Sequence, residues 1–465
     1  MMYSYKSMND IPLPLTIKIR GNGQLDIQSS KIIRYLPKRR IVCLGMYKGE
    51  NVIIKIFFGK GYKKRWEREL AGVNLISETG IKTPNILEQF LDENHAVIIF
   101  QYISEAETLD EKWKKSKDEK VKQKVFSQST DLLAIMHDAG VFQRDIHLSN
   151  FISKGNSIYL IDGEQVYKKT RKNQLVKAAE QNLSMFFTQM FQYELPYIRK
   201  LFTRYLESRN EKSWLPTYDG TMRQLQRDRK WRIRKYIDSK VFRNCTEFEV
   251  LVDKTKSVFI KRNIDTEEVR RFIDNLGPYI DKGEVMKNGT STQVIKIKIG
   301  DSFFILKCYK NKGFTHSLFS KLKKHSRSTS SWRYGHLLKF IGISTPEPVL
   351  CMDKKLWTMG GYSFLVTEFL HGTQLQKYLL NAEVSEKLKK TVACKVKEKV
   401  KQMHESNITH GDLKLPNIMI VSDEPFFIDL DSMCNATEEK IKRDIERFNK
   451  SISEMEVEYY FVKNS

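Results

Sequence analysis

Residues 409–431 read THGDLKLPNIMIVSDEPFFIDLD. The apolar runs Asn417–Val421 and Phe426–Ile428 have strand character, and Ser422–Pro425 between them carries turn residues. The stretch therefore reads as turn, short strand, turn, short strand. Three polar residues mark its ends: Asp412, Asn417 and Asp429. A loop aspartate and asparagine five residues apart, with a second aspartate straight after a hairpin, is how a phosphotransferase gathers a base and metal ligands at one point. In that arrangement Asp429 and Asn417 hold Mg²⁺ on the phosphates of ATP. Asp412 orients the acceptor hydroxyl and takes its proton.

A surface hairpin could carry such carboxylates by chance, but the pattern occurs twice. Residues 142–164 read FQRDIHLSNFISKGNSIYLIDGE, and Asp145, Asn150 and Asp162 keep the same spacing as Asp412, Asn417 and Asp429. Met136-His137 precedes the first set as Met403-His404 precedes the second, and every equivalent pair is offset by 267 residues. An acid follows two residues after each final aspartate, at Glu164 and Asp431. An internal repeat of this length implies two structural units. Both stretches resemble the catalytic and metal-binding loops of the protein-kinase-like superfamily. His410-Gly411-Asp412 stands where many members have His-Arg-Asp, and Ile428-Asp429-Leu430 where many have Asp-Phe-Gly. The fold class this implies is α+β: two tandem bilobal kinase-like units, each a small antiparallel-sheet lobe plus a short helical lobe. Their expected extents are 1–250 and 251–465.

Further candidates follow outward from these loops. Val52–Phe58 is an apolar strand interrupted by one charge, Lys55, and Phe303–Tyr309 repeats the pattern with Lys307. A lysine inside such a strand is costly unless it has a partner or a task. In kinase-like folds it holds the α and β phosphates. The bland reading is an outward-pointing lysine on an alternating strand. The helix expected over 64–79 offers Glu69 as the partner of Lys55, with Glu67 as the alternative. The helix expected over 332–340 has no glutamate, and Tyr334 and His336 occupy its inward face. Lys287–Thr292, with Gly289 and Ser291, is a small polar turn whose backbone N–H groups could cover phosphates. The loop before the Lys55 strand has only Gly45 and Gly49 and lacks G-x-G-x-x-G. Ile98–Tyr102 and Phe364–Leu370, the latter with Glu368, are candidate hinges for adenine. Lys414 lies where it could reach the γ-phosphate, and His147 takes its place in the first half. Gln143 replaces a histidine common in the family.

Composition sets outer limits. The chain has 465 residues and a formal charge of +24, which points to anionic partners without choosing among them. Six cysteines without a CxxC pair argue for a reducing compartment and against a zinc site or disulfide frame. No apolar run reaches spanning length, and MMYSYKSMND lacks the apolar core of a secretory signal. The expected location is cytoplasmic. Charged runs such as 110–124 read as solvated helix faces. The strongly basic stretch Met222–Arg243 also reads so by default. Its sharper reading is a surface that meets acidic membrane or a phosphorylated sugar. Asp265–Glu268 opens a short helix, Gly277-Pro278 stops it, and a basic insert lies between Lys310 and Arg333. Nucleic-acid binding has only the charge in its favour, so none is expected.

With Asn182–Phe187, Arg243–Phe248, Ser331–Arg333 and His410–Lys414, the chain resembles the bacterial lipopolysaccharide core kinases, the heptose and Kdo kinases and their InaA-like relatives. It looks most like tandem members. The resemblance implies an ATP- and Mg²⁺-dependent kinase acting on a sugar hydroxyl of the lipopolysaccharide inner core at the cytoplasmic face of the inner membrane. It carries Asp412, Lys414 and Asp145 over as catalytic residues. Lys307, Lys55, Glu69, Gly289, Ser291 and Glu368 become nucleotide-binding, and Asn417, Asp429, Asn150 and Asp162 metal-binding. The short segment after Asp429 leaves no room for the peptide-binding helices of regulated protein kinases, which favours a glycan or small-molecule acceptor. Transfer to a protein or other small molecule, or a non-catalytic scaffold, are the rival readings. The second half is expected to be the active one, because its loops are more complete.

Overall fold

A computed structural model describes residues 11–19, 25–116, 118–190, 195–245, 247–310, 326–354 and 362–462. The Gly21–Gly23 turn and most of the basic insert expected after Lys310 lie outside the described residues. The chain is a mixed α+β protein with several antiparallel sheets, packed as two units: residues 1–190 with 194–229, and residues 191–193 with 230–465. The division at 250/251 expected from the sequence would cut strand Phe248–Val252, which pairs with Lys256–Lys261 in the second unit's sheet. The observed division lies inside an unbroken helix, Tyr218–Tyr236, so no turn residue or change of composition announces it.

In the first unit the sheet has six antiparallel strands, in the order Leu15–Ile19, Leu25–Leu36, Arg40–Tyr47, Glu50–Phe58, His95–Gln101, Ile86–Leu91. Period-2 alternation sorts the fourth of these strands. Val52, Ile54, Ile56 and Phe58 join Ile41, Cys43 and Tyr35 on one face. Ile53 and Phe57 pack on the other against Val73, Trp66 and Leu70 of helix Tyr62–Glu78. Lys55, between Ile53 and Phe57, therefore faces that helix. Below the sheet, helices Glu119–Asp138, Lys172–Phe187 and Leu195–Ser208 meet around Leu133, Met136, Leu183, Phe186 and Ile198. The charged run 110–124 is two helices rather than one face. Thr108 and Glu111 form a capping box on Leu109–Lys115, and Asp118 caps the next helix by accepting from Lys120 N at 2.8 Å.

The second unit has a seven-stranded antiparallel sheet. Its order is Phe248–Val252, Lys256–Lys261, Pro348–Lys354, Tyr362–Glu368, Ser302–Lys310, Thr292–Ile299, Glu284–Asn288. Helix Glu267–Asp274, capped by Thr266, covers one face through Val269, Phe272 and Ile273. Trp332 of helix Arg327–Phe340 packs with Tyr309, Cys351 and Leu365 on the other. Helices Glu386–Glu405, Glu438–Ser453 and Glu458–Phe461 form the remaining core with Leu413, Leu415, Ile418 and Phe427 of the catalytic stretch. Burying each such side chain is worth about 1.5–3 kcal/mol.

Each unit also buries a neutral histidine. Burial drives the His137 imidazole from 6.5 down to about 3, against the opposing effect of its 2.9 Å bond to Asn182. Burial, with Lys261 nearby, takes His336 down to about 3 as well. Both folded values lie below the unfolded one. The unfolded chain therefore takes up protons below pH 6.5 that the folded chain refuses. Stability is at its full value above pH 6.5 and falls as the pH drops toward 3. The expected slope is about 1.4 kcal/mol per pH unit for each histidine. Denaturant melts over this range should show it, and His137→Gln should flatten the slope of the first unit's transition.

Candidate active site

Strand register brings the second unit's groups together. Ser302–Lys310 lies between its neighbours so that Lys307 is level with Val294 on one side and Leu365 on the other. Like Tyr309, it faces helix Arg327–Phe340. That helix offers no glutamate, and Lys307 Nζ instead meets Asp429 Oδ1 at 2.6 Å and Asp431 Oδ1 at 3.5 Å. Asp431 is in turn held by Tyr309 OH at 2.8 Å, Ser331 Oγ at 3.1 Å and Arg327 at 2.7 Å. An acid two residues beyond the final aspartate thus joins Asp429 beside Lys307 in the unit whose helix has no glutamate. Its recurrence at Glu164 and Asp431 was the only sequence signal for it.

Asp429 follows the hairpin Ile418–Val421/Glu424–Phe427 and has left-handed backbone, φ 63°. A non-glycine residue held there is strained, and such strain concentrates at functional sites. His410 Nε2 lies 3.0 Å from the carbonyl of Ile428, joining the two loops just ahead of Asp429. In the catalytic loop, Asn417 donates through Nδ2 to the Asp412 carbonyl at 2.8 Å and to its carboxylate at 3.0 Å. Lys414 Nζ is 2.8 Å from the same carboxylate. Burial pushes the Asp412 carboxyl up, but the Lys414 and Asn417 hydrogen bonds outweigh it and leave the group below its ordinary range. Burial likewise raises Asp429 and is outweighed by Lys307 and Lys287. Both are anions at neutral pH. Gly411, at φ 79°, is confined to glycine, since a Cβ would sit 2.2 Å from the Ser432 carbonyl.

Lys307, Asp412, Lys414, Asn417 and Asp429 line one cleft of about 1150 Å³ together with Gly289, Ser291, Thr292, Glu368, Phe369 and Leu370. Gly289–Ser291 is the turn between strands Glu284–Asn288 and Thr292–Ile299, and roofs it. Glu368 turns its carboxylate to Glu347 N at 2.8 Å, leaving the backbone of 368–370 along the cleft wall.

The first unit places its equivalents differently. Lys55 pairs with Glu69, and its Nζ is 3.6 Å from Asp162. Glu67 is exposed, while Glu69 is fully buried and also accepts from Gly163 N at 3.2 Å and Glu164 N at 3.1 Å. Asn150 donates to the Asp145 carbonyl at 2.8 Å, and the Asp145 side chain is exposed. Gln143, buried, donates to the Asp162 carbonyl at 2.7 Å, the bridging task that His410 performs for Ile428. Gly45 and Gly49 belong to the strand-and-hairpin region Arg40–Tyr47/Glu50–Phe58, away from the position of the phosphate-covering turn. Register shows why. Val42 is level with Lys55 as Val294 is with Lys307, so the turn matching Gly289–Ser291 is Pro37–Arg39. It contains no glycine and two cations. The residue after it, Arg40, is 6% exposed and reaches Asp162 and Glu164. Nothing in the local sequence distinguished Arg40 from the neighbouring surface cations.

The profile of the "Lipopolysaccharide kinase (Kdo/WaaP) family" matches residues 281–460. No curated protein matches the chain. Among solved structures, "WaaP in complex with acyl carrier protein" is similar at 16% identity and a TM-score of 0.33, over 43% of this chain and 88% of that one. The family match makes residues 281–460 similar to the lipopolysaccharide kinase (Kdo/WaaP) family, whose members are kinases, and supports an ATP-dependent kinase.

Proposed function

We propose that the second unit transfers the γ-phosphoryl group of ATP to a sugar hydroxyl, of heptose or Kdo, in the lipopolysaccharide inner core. One observation carries the reading: Lys307, Asp429, Asn417, Asp412 and Lys414 line a single cleft beneath the Gly289–Ser291 turn. The donor set suits Mg²⁺. Asn417 turns its nitrogen to two Asp412 oxygens, so among the described residues its Oδ1 is left over, and Asp429 engages Lys307 through Oδ1. A carboxylate oxygen and an amide oxygen are the hard ligands this ion takes beside phosphate oxygens. Bound there, it would offset the charge on the phosphates.

The chain's own groups do the rest. Lys307 meets the α and β phosphates, and the backbone of Gly289–Ser291 closes over them. Asp412, ionised and steadied by Asn417, takes the proton of the attacking hydroxyl at its carboxylate. Lys414 lies against that carboxylate and stabilises charge on the transferred group. The backbone at Glu368–Leu370 receives adenine. The first unit, with its own lysine strand, helix and loop pair, is a second kinase-like unit in tandem. Asp145, Asn150, Asp162, Lys55 and Glu69 are its matching residues.

Among the described residues no helix is long and apolar enough to cross a membrane. Peripheral contact at the cytoplasmic face is supported by exposed Trp231, flanked by Lys230, Arg234 and Lys235, with the Lys235 ammonium 4.5 Å from its ring centre. The acceptor is tested with labelled ATP and competing substrates. Purified dephosphorylated core oligosaccharide should be labelled and should outcompete peptide and free sugars. Labelling of peptide alone would transfer the reading to a protein kinase.

A further inference from the structure

The first unit contains a cation of its own where the second offers ligands to a metal. Arg40 stands at the strand position that Thr292 occupies in the second unit: Arg40 is level with Phe57, two residues past Lys55, as Thr292 is level with Tyr309, two past Lys307. One guanidinium nitrogen of Arg40 lies 3.3 Å from Asp162 Oδ1 and 3.0 Å from Glu164 Oε2, and the other 3.5 Å from Asp162 Oδ2. Both oxygens of the would-be metal ligand are therefore engaged by one planar fork, the geometry in which arginine binds carboxylate most specifically. Lys55 adds a second positive charge at 3.6 Å. Arg39 covers the outer side of Glu164 at 3.3 Å. Burial would raise the Asp162 carboxyl, but Lys55 and Arg40 hold it far below its ordinary range.

A divalent ion placed at Asp162 would share its ligand with a guanidinium and an ammonium, like charges a few ångströms away in a part-buried site. The residues present do not fit Mg²⁺. In the second unit the equivalent Thr292 is neutral, Arg327 lies on Asp431, and among the described residues the cation paired with Asp429 is Lys307.

We propose that the Arg40 guanidinium permanently fills the metal position of the first unit, so that this unit takes no magnesium nucleotide and each chain has one such site. That the second unit holds the one site rests on the function proposed above. That Arg40 fills the metal position of the first does not.

The test counts sites on the full-length chain, by calorimetric titration with a non-hydrolysable ATP analogue in Mg²⁺ and by Mn²⁺ titration read by electron paramagnetic resonance. One metal-dependent nucleotide site per chain is expected, lost in Asp429→Asn and kept in Asp162→Asn. Arg40→Thr, which copies the second unit, should raise the count by one, and adding Asp162→Asn should remove the extra site. Two sites in the unaltered chain, or a site that survives Asp429→Asn and disappears in Asp162→Asn, overturns the proposal without any need for the Arg40 variant. A folded Arg40→Thr chain with an unchanged count also overturns it. No site in the unaltered chain and one in Arg40→Thr would support the arginine plug while removing the function proposed for the second unit.

Discussion

Asp412→Ala is expected to lower phosphoryl transfer by about three orders of magnitude, and Asp145→Ala to leave it within about twofold. A positioned base contributes roughly 10²- to 10⁴-fold, so a loss of about 4 kcal/mol in barrier lowering is the natural size for the first variant. The asymmetry comes from geometry, since the two loops match in spacing. Asp412 has an ammonium at 2.8 Å and an amide at 3.0 Å on its carboxylate, and these keep it ionised and aimed into the cleft. In the first unit Asn150 reaches only the Asp145 carbonyl, and His147 stands where Lys414 would. Single-turnover rates on core oligosaccharide would measure both variants. Equal losses would mean that both units turn over, and a loss confined to Asp145→Ala would exchange their roles.

What could be read from the sequence was what is local in the chain. The catalytic loop, its hairpin and the second aspartate span fewer than about twenty residues, so spacing alone carries their geometry. The strand lysines were visible because one charge interrupts an alternating apolar run. The groups that differ between the units were hidden because strand register places them. Arg40 reaches Asp162 across 122 residues of sequence, and Tyr309 reaches Asp431 across another 122. No pattern in either neighbourhood encodes those meetings. Glycine content misled in the same way. It drew attention to Gly45 and Gly49, whereas the turn facing the site is the glycine-free Pro37–Arg39. The expected boundary at 250/251 falls inside the hairpin of Phe248–Val252 and Lys256–Lys261. The hairpin's pairing with Pro348–Lys354 is a tertiary fact.

Helix Glu438–Ser453 supports the catalytic loop, and Asp444→Ala should expose this. Helix Glu438–Ser453 presents Asp444, Arg447 and Ser451 at helical spacing, on one face. All three hold the catalytic loop. Asp444, 1% exposed, accepts from His410 N at 2.7 Å, from Gly411 N at 2.8 Å and lies 3.3 Å from His404 Nε2. Arg447 donates to the Gly411 carbonyl, and Ser451 accepts from Leu415 N at 3.1 Å. Alanine at 444 leaves two backbone N–H groups without their acceptor, and hydrogen bonds to a buried charge are each worth about 1.5–3 kcal/mol. The second unit should lose about 3–5 kcal/mol of stability, read as a lower denaturant midpoint with an unchanged slope. A merely structural role would stop there. If the helix positions Asp412 through Gly411, then below the melting transition kcat should fall by about 10²-fold while KM for ATP changes much less, because the nucleotide-facing Lys307 is set by its own strand register and pairs directly with Asp429. Asp444→Asn keeps one acceptor oxygen and should recover part of both losses. A folded Asp444→Ala chain with unaltered kcat would show that the loop keeps its geometry unaided.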